Sequence, residues 1–253
     1  MKIIVAIKQV PARDSAVRID AAGKWIDEQD LTFEINEPDA YALETGLLLK
    51  EKHGGEVVVV CAGPERAAPT IREALAKGAD RAIHIESGDL AAIDTLEVAR
   101  RLAAAVSGEQ ADLILTGLQS DDLGLGQTGV VMAEILGIPH ATIIMEVEKR
   151  DGAIRVKREL EDGWFQWLEL PLPALLTIQS GISKLRYATL MGIKKAKTKE
   201  VRRVTPAPAA PATVFLERVF LPQRKKETQM IAGTPAEAAS SLAAILKSEV
   251  RVI

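Results

Sequence analysis

The stretch "VVVVCAGPERAAPTIREALAKGADRAIHI", residues Val57–Ile85, decides the fold class. It opens with a run of valines, continues with apolar residues at helical spacing that close on Gly78, and ends in a second apolar run at 81–85. Continuous β-branched runs of this length are typical of strands buried on both faces, as in a parallel sheet. The stretch therefore predicts strand, helix and strand with short connections.

The same alternation continues on both sides of this stretch. Apolar runs at Ile3–Ile7 and Asp112–Gly117 predict two more strands, and segments 38–55, 92–106 and 126–139 predict helices. Strands that alternate with helices over this length indicate a doubly wound α/β domain with a mostly parallel sheet.

Two later runs, Ala153–Leu160 and Trp164–Ile178, alternate apolar and polar residues. They predict a β-hairpin that turns around Glu161–Gly163 and is added at the sheet edge. After Val204 the composition changes to a Pro/Ala linker at 205–212. The segments at 213–233 and 235–253 are too short to enclose a core. We therefore expect a domain at 1–204 and a linker with an extended C-terminal arm at 205–253.

The composition of the chain excludes several classes of protein. The 253 residues are 47% hydrophobic and 26% charged, as in an ordinary globular protein, and the net charge of −3 argues against a general nucleic-acid binder. The single cysteine, Cys61, excludes an internal disulfide and favours a reducing cytoplasm. Because no apolar segment approaches the roughly 20 residues of a membrane-spanning helix, we expect a soluble cytoplasmic protein without membrane insertion.

The loop "TGLQSDDLGLGQTG", Thr116–Gly129, is the best candidate for a ligand site. Ligands of open parallel sheets bind beyond the carboxyl ends of strands, and this loop leaves such an end. Its glycines let the backbone approach a ligand, and free amides at the start of the next helix, with the Thr128 hydroxyl, could bind phosphate. The alternative is a glycine-rich connection that only caps a helix. Asp121 and Asp122 could hold a ribose or metal, or could cap backbone amides.

Residues for catalysis are not grouped in the sequence. There is no Ser/His/Asp set, no Cys/His metal spacing and no acid–base pair, and His53, His84 and His140 are scattered over predicted elements of different kinds. The residues therefore indicate a nucleotide-binding protein that has no catalytic residues and no metal.

Several motifs, in this order along nearly the whole chain, resemble the β subunit of electron transfer flavoprotein. They are "IIVAIKQV" at 3–10, "INEPDAYALETGLLLKEK" at 35–52, "CAGPERAAPTIREALAKGADRAIHI" at 61–85, "GLQSDDLGLGQTG" at 117–129 and "LRYATLMGIKKAKTKE" at 185–200. The resemblance implies an adenine-nucleotide α-hydrolase-like fold. It also implies a non-catalytic subunit that pairs with a flavin-carrying α subunit, on which the C-terminal arm would pack.

In that family the heterodimer accepts electrons from acyl-CoA or other dehydrogenases and passes them to a quinone reductase or another acceptor. The redox FAD lies mainly on α, where β supports it, and β holds a structural AMP. The resemblance places the AMP beside Ala6, Ala62 and the turn at Asn36–Asp39. Its further positions in this chain are Glu37, Pro38, Gly117, Gln119, Ser120, Asp121, Asp122, Gly124, Gly126, Gln127, Thr128 and Gly129.

The nucleotide loop also departs from the family pattern. Where the family commonly has three aspartates and then x-N-Q-T-G, this chain has Asp121-Asp122-Leu123-Gly124-Leu125-Gly126 before Gln127. Electron-bifurcating relatives hold a second FAD in the same pocket and have a D-G-D-T-A-Q-V-G-P loop. Thr128 and the absence of proline after Gly129 favour AMP, with FAD as the alternative.

The segment at about 180–200 resembles the family's recognition loop, which docks dehydrogenases. The resemblance makes Leu190 the apolar anchor, with Tyr187 and Ala188 shaping the loop, although Met191 stands where the family often has proline. Lysines 194, 195, 197 and 199 would steer an acidic partner, or would simply face water. Glu159 matches a family glutamate that contacts the mobile flavin domain of α, and is otherwise an exposed strand charge.

Two other functions remain open from sequence. A stand-alone nucleotide-binding stress-type protein would share a related α/β fold, but it would need neither the recognition loop nor the arm. An adenylating ligase would need a phosphate loop and a catalytic lysine, and neither can be located in this sequence.

Overall fold

The computed structural model describes residues 1–88, 93–222 and 228–252. The predicted helix at 92–106 begins at a residue outside the described ones, and the predicted arm includes 223–227 and 253, which also lie outside them. The chain divides into two compact units, Met1–Val219 and Phe220–Ile253.

The first unit carries a large sheet and five helices among the described residues. The strands are β1 Lys2–Ala6, β2 Gln9–Pro11, β3 Phe33–Ile35, β4 Glu56–Gly63, β5 Arg81–Glu86, β6 Leu113–Gly117, β7 His140–Lys149, β8 Ala153–Glu159, β9 Phe165–Pro171, β10 Ala174–Ile178 and β11 Val201–Val204. The helices are α1 Glu37–His53, α2 Ala68–Lys77, α3 Thr95–Val106, α4 Thr128–Leu136 and α5 Leu190–Ala196.

Within the described residues, nine strands form one sheet in the order β11-β5-β4-β1-β6-β10-β7-β8-β9. The pairings from β11 to β7 are parallel, and β7, β8 and β9 are antiparallel. β2 and β3 form a separate antiparallel pair. The doubly wound, mostly parallel α/β fold expected from the sequence is confirmed, and so is the hairpin added at the sheet edge.

The sheet is covered on both faces because its strands are apolar on both. Ile3 and Val5 of β1 lie in one buried cluster with residues of α1 and α2, such as Leu47. Ile4 lies in the other cluster, with residues of α3 and α4 such as Leu102. Alternate side chains of a strand point to opposite faces, so a run of β-branched residues fills both layers.

Besides the short pair β2 and β3, which was not predicted, three strands of the large sheet differ from the expected arrangement. The run Trp164–Ile178, predicted as one hairpin arm, is divided: β9 is the hairpin arm, whereas β10 is parallel to β6 inside the sheet. Pro173 separates the two strands, and a proline without an N–H cannot continue a ladder in the sheet interior. β7 and β11 were not predicted, since β7 mixes polar and apolar residues on an open part of the sheet and β11 has only four residues.

The first unit extends beyond the boundary predicted at 204/205. The backbone N–H and the hydroxyl of Thr213 donate to Asp94 at 2.7 and 2.8 Å, and the N–H of Val219 donates to the carbonyl of Gly23 at 2.8 Å. These bonds attach the residues that follow the Pro/Ala linker to the α/β domain.

The second unit contains α6, Pro235–Ile245, followed by a π-helical turn at Leu246–Val250. Thr234 and Glu237 form a capping box that begins the helix. None of the described residues of α6 is buried, although Leu242 and several alanines make the helix apolar. In the described part of the chain, no helix combines the length and apolar character needed to cross a bilayer.

Candidate functional site

The carboxyl edge of the sheet brings the predicted nucleotide residues together. The chain runs from β1 outward through β4 to β5 and then returns to the other side of β1 as β6. α1 follows β1 on one face, and α4 follows β6 on the other. The ends of β1 and β6 therefore diverge, and this is where doubly wound sheets bind ligands.

Asn36 clasps the nucleotide loop to the start of α1. Its side-chain amide donates to the carbonyl of Gln119 at 2.9 Å, and its oxygen accepts the N–H of Asp121 at 2.8 Å. Only 1% of Asn36 is exposed. The Asp121 carboxylate accepts the N–H of Glu37 at 3.2 Å, in the first turn of α1. Asn36 and Asp121 thus fasten the loop to the start of α1.

Asp39 ties three elements together below the loop. Its two oxygens accept the backbone N–H groups of Lys8 and Gly117, each at 2.8 Å. A side chain at Gly117 would collide with Asp39, since a Cβ there would lie 2.4 Å from its carboxylate. Burial raises the pKa of Asp39 from 3.8 to about 7, although both N–H groups and the Lys8 charge oppose the rise. Asp39 and Gly117 therefore shape the site from beneath.

Two cations that the sequence analysis did not identify pair with acidic residues of the loop and of the first turn of α1. The Lys8 ammonium lies 2.6 Å from Asp122 and 3.3 Å from the Ser120 hydroxyl. Burial raises the pKa of Asp122, but the charge and hydrogen bonds of Lys8 bring it below its usual value on balance. Arg13 pairs with Glu37. Lys8 had one signal in the sequence: it is the first charge beyond the strand that ends at the ligand edge.

The loop ends at the amino terminus of α4, which has open backbone donors. Gln127 is the N-cap residue, and its side chain makes no capping hydrogen bond. Thr128 and Gly129 follow in the first turn, where N–H groups have no partner within the helix. A Cβ at Gly129 would lie 2.6 Å from the Thr116 hydroxyl, so the absence of a side chain seats this turn on the sheet. The arrangement suits an anion.

The remaining predicted residues border the same edge. Gly124 and Gly126 have φ of 63°, which glycine adopts most readily, and Gly124 faces open space. Ala6 ends β1 and is buried, while Ala62 near the end of β4 is half-buried. Both contact the cluster on the α3 and α4 face, which is the face of the α4 amino terminus. Pro38 is buried in the first turn of α1.

The segment at 180–200, predicted to be a recognition loop, packs on the face of the sheet that carries α1 and α2. Thr189 caps α5 by accepting the N–H of Gly192 at 3.0 Å. Leu190 is 89% and Tyr187 92% exposed, which is unusual for large apolar and aromatic side chains, whereas Ala188 is half-buried. Lys194, Lys195 and Lys197 are exposed beside them.

Lys199 differs from the other three lysines. Its ammonium points inward and donates to the carbonyls of Leu75, at 2.9 Å, and Ala79. Burial lowers its pKa below the usual value for lysine. Of the four lysines predicted to steer a partner, three are therefore exposed and Lys199 is turned inward. Glu159, at the end of β8, is half-buried and accepts a long bond of 3.4 Å from Gln179.

Among the described residues, one cluster of possible metal ligands lies at the carboxyl ends of β4 and β5. Glu65, His84 and Glu86 bring their ligand atoms within 4.8 Å of one another. The guanidinium of Arg203 already lies 2.6 Å from both glutamates, so it neutralises the position a cation would take. Cys61 is buried, and burial raises its pKa to about 12, which makes it the inert thiol expected from the sequence.

The comparisons with known proteins agree with this architecture. A family model described as the electron transfer flavoprotein domain matches residues 24–209. Relatives named electron transfer flavoprotein subunit beta are similar along nearly the whole chain. The protein of Methylophilus methylotrophus is 36% identical over 97% of this chain and 98% of its own length. That of Syntrophomonas wolfei is 37% identical (100% and 98%), and that of Homo sapiens is 32% identical (100% and 99%). The chain therefore belongs to the electron transfer flavoprotein family, among its β subunits.

Proposed function

We propose that this chain is the β subunit of a heterodimeric electron transfer flavoprotein that binds AMP at the carboxyl edge of its sheet. The observation that supports a nucleotide site is that hydrogen bonds hold the loop at 116–129 in place. Asn36 and Lys8 hold the loop that leads into α4, the N-cap side chain of α4 makes no capping bond, and Ala6 and Ala62 lie at the same edge of the sheet. A flat base can lie against the small alanines, while the phosphate accepts bonds from the α4 amides and the Thr128 hydroxyl.

The subunit contributes positioning rather than chemistry of its own. An AMP bound across β1, β4 and β6 would fix the ends of these strands, because the same loop contacts α1 and begins α4. The α subunit carries the redox FAD, and this chain supports it. Its electrons come from an acyl-CoA or related dehydrogenase and pass to a quinone reductase or another acceptor. We retain a cytoplasmic location as a prediction from the single cysteine.

Docking is the second part of the proposal. Leu190 enters a pocket on the dehydrogenase, because a large apolar side chain that is 89% exposed gains most when a partner covers it. Lys194, Lys195 and Lys197 lie next to it and attract an acidic rim, which raises the association rate.

Cofactor stoichiometry tests the nucleotide proposal. The chain is co-expressed with its α subunit, purified and denatured, and the released cofactors are separated by chromatography. We expect one FAD and one AMP per heterodimer. Thr128→Val removes the hydroxyl at nearly constant volume and should lower the retained AMP while the FAD stays.

The other outcomes are equally clear. Two FAD molecules per heterodimer would assign the chain to the electron-bifurcating branch instead. A colourless, stable monomer that does not bind the α subunit would contradict the proposal and favour a stand-alone nucleotide-binding protein.

A further inference from the structure

α5 is too short to be held by packing alone. It has seven residues, and Ala196 is its only buried one among those described. Between α5 and α2 lies an open pocket of about 510 Å³, lined by apolar side chains such as Ala76 and Ile193 and by the charged Arg72, Glu73 and Lys197. An isolated helix of this length is unstable in water. Other contacts must therefore hold it in place.

Those contacts are reciprocal bonds between the carboxyl ends of α2 and α5. Arg72 of α2 donates to the carbonyls of Ala196 and Lys199, at 2.7 and 2.9 Å. In return, Lys199 donates to the carbonyls of Leu75 and Ala79. The last carbonyls of a helix lack partners within it and carry partial negative charge. The last carbonyls of α5 thus bind a cation from α2, and those of α2 bind a cation from the segment that follows α5. We call these reciprocal bonds of Arg72 and Lys199 the cross-cap.

A close backbone contact and an ion-pair network also hold the segment around α5 in place. A Cβ at Gly192 would lie 2.3 Å from the carbonyl oxygen of Ala76, so only glycine lets α5 approach α2 this closely. At the other end of the loop, Arg186 lies 2.8 Å from Glu44 and 2.6 Å from Glu51, both on α1. Leu190 therefore extends into solvent from a backbone that is fixed on both sides.

We propose that Lys199 and Arg72 are positioning residues for docking: the cross-cap holds α5 so that Leu190 is presented to the dehydrogenase in its bound geometry. The proposal rests on the docking role of Leu190 proposed above. A preorganised anchor avoids the entropy cost of ordering a loop on binding. On this view Lys199 acts through Leu190, whereas Lys197 on the same segment acts through its charge.

The test compares Lys199→Met with Lys197→Met in the purified heterodimer. Both variants remove one positive charge from the same segment, but among the described residues Lys197 makes no hydrogen bond or ion pair. Electron transfer is measured with whichever acyl-CoA or related flavin dehydrogenase reduces the wild type fastest. For Lys199→Met we expect a KM for the heterodimer raised roughly tenfold, with kcat within about twofold, at low and high salt alike.

The control should behave differently. Lys197→Met should raise KM only about two- to threefold, and the effect should vanish above about 0.3 M salt, because an exposed charge is screened. Lys199→Arg should restore most of the KM, since it keeps the donors. In a Leu190→Ala background, Lys199→Met should add nearly nothing, because the residue that it positions is gone.

Hydrogen exchange provides a readout that needs no dehydrogenase. Lys199→Met should speed amide exchange at residues 190–196 at least several-fold, while Lys197→Met should not. Equal exchange and equal KM in the two variants would overturn the cross-cap proposal. If Leu190→Ala leaves KM unchanged, the docking proposal itself fails. In that case faster exchange in Lys199→Met would show only that the cross-cap orders α5.

Discussion

Asp39 supports the candidate nucleotide site and has an unusually high proton affinity for a carboxyl group. The carboxyl is buried, yet it accepts two backbone N–H groups from different strands' ends. Desolvation favours the neutral form and the two donors favour the anion. The outcome, a pKa near 7, places its titration within the physiological range.

The titration of Asp39 makes stability depend on pH in a defined direction. Because its folded-state pKa of about 7 lies above the ordinary value of 3.8, the folded chain binds this proton more tightly than the unfolded chain. The contribution to stability is therefore complete below about pH 4 and is lost as the pH rises through about 7.

Urea unfolding of the wild type and Asp39→Asn from pH 5 to 8 measures this effect. The asparagine cannot accept both N–H groups, so the variant should carry a constant loss. On top of this constant loss, the difference in unfolding free energy between the wild type and the variant should fall as the pH rises, by up to about 1.4 kcal/mol per pH unit in this window. A difference between the two proteins that is independent of pH would contradict the raised pKa.

The sequence predicted where the residues of the candidate site lie in the fold, but not which hydrogen bonds they make. The loop at 117–129 lies at the carboxyl edge, as its place after a strand predicted, and Asn36 and Asp39, which only the family resemblance indicated, lie there too. Their hydrogen bonds could not be predicted, because they join segments from 31 to 85 positions apart. Lys8 was missed for the same reason: a lysine after a strand is common, and only the fold shows that it meets Asp122.

At the scale of elements, the seating of α4 decides whether the nucleotide loop presents its amides. The first turn of this helix lies against β6 and β10, where a Cβ on Gly129 would be 2.6 Å from Thr116 and 2.8 Å from Thr177. Neither neighbour is a flexible chain end, so the helix itself must move to accommodate a side chain.

Gly129→Ala should therefore weaken nucleotide binding while the protein still folds. We expect a cost of about 1–3 kcal/mol in unfolding free energy from overpacking, and a clear fall in retained AMP, while the flavin on the α subunit remains. Gly108→Ala is the matched control, because a Cβ there meets nothing within 4 Å. Cofactor release and urea unfolding of both variants give the result. Full AMP occupancy in Gly129→Ala would show that the start of α4 is not the phosphate site.

Elements differed in how well the sequence predicted them. The strands at 57–63, 81–85 and 113–117 are nearly uniform in β-branched or aliphatic residues because both of their faces are covered. β10 has the same character, but it was assigned to the hairpin, since "LELPLPALLTI" reads as one continuous run until Pro173 is placed. β11 is recognisable only through its partner, β5, to which Val201–Val204 are paired.

At the scale of the whole molecule, the two compact units differ in how they are stabilised. Among the residues that the structure describes, every buried apolar one lies in the first unit, and the last of them is Ala196. In the second unit, the described residues of α6 are capped but not buried. A helix that is apolar without a core of its own gains stability when another surface covers it. This supports the proposal that the arm packs on the α subunit.

Removing the second unit should separate folding from assembly. A chain that ends at Val219 keeps the sheet, both buried clusters and the bonds of Thr213 and Val219. Its unfolding free energy in urea should therefore lie within about 0.5 kcal/mol of that of the full chain, as for changes at exposed positions. Its affinity for the α subunit, measured by titration of labelled protein, should fall at least tenfold, because the apolar helix is lost. An unchanged affinity would remove the arm from the interface, and a large loss of stability would mean that the arm belongs to the core of this chain.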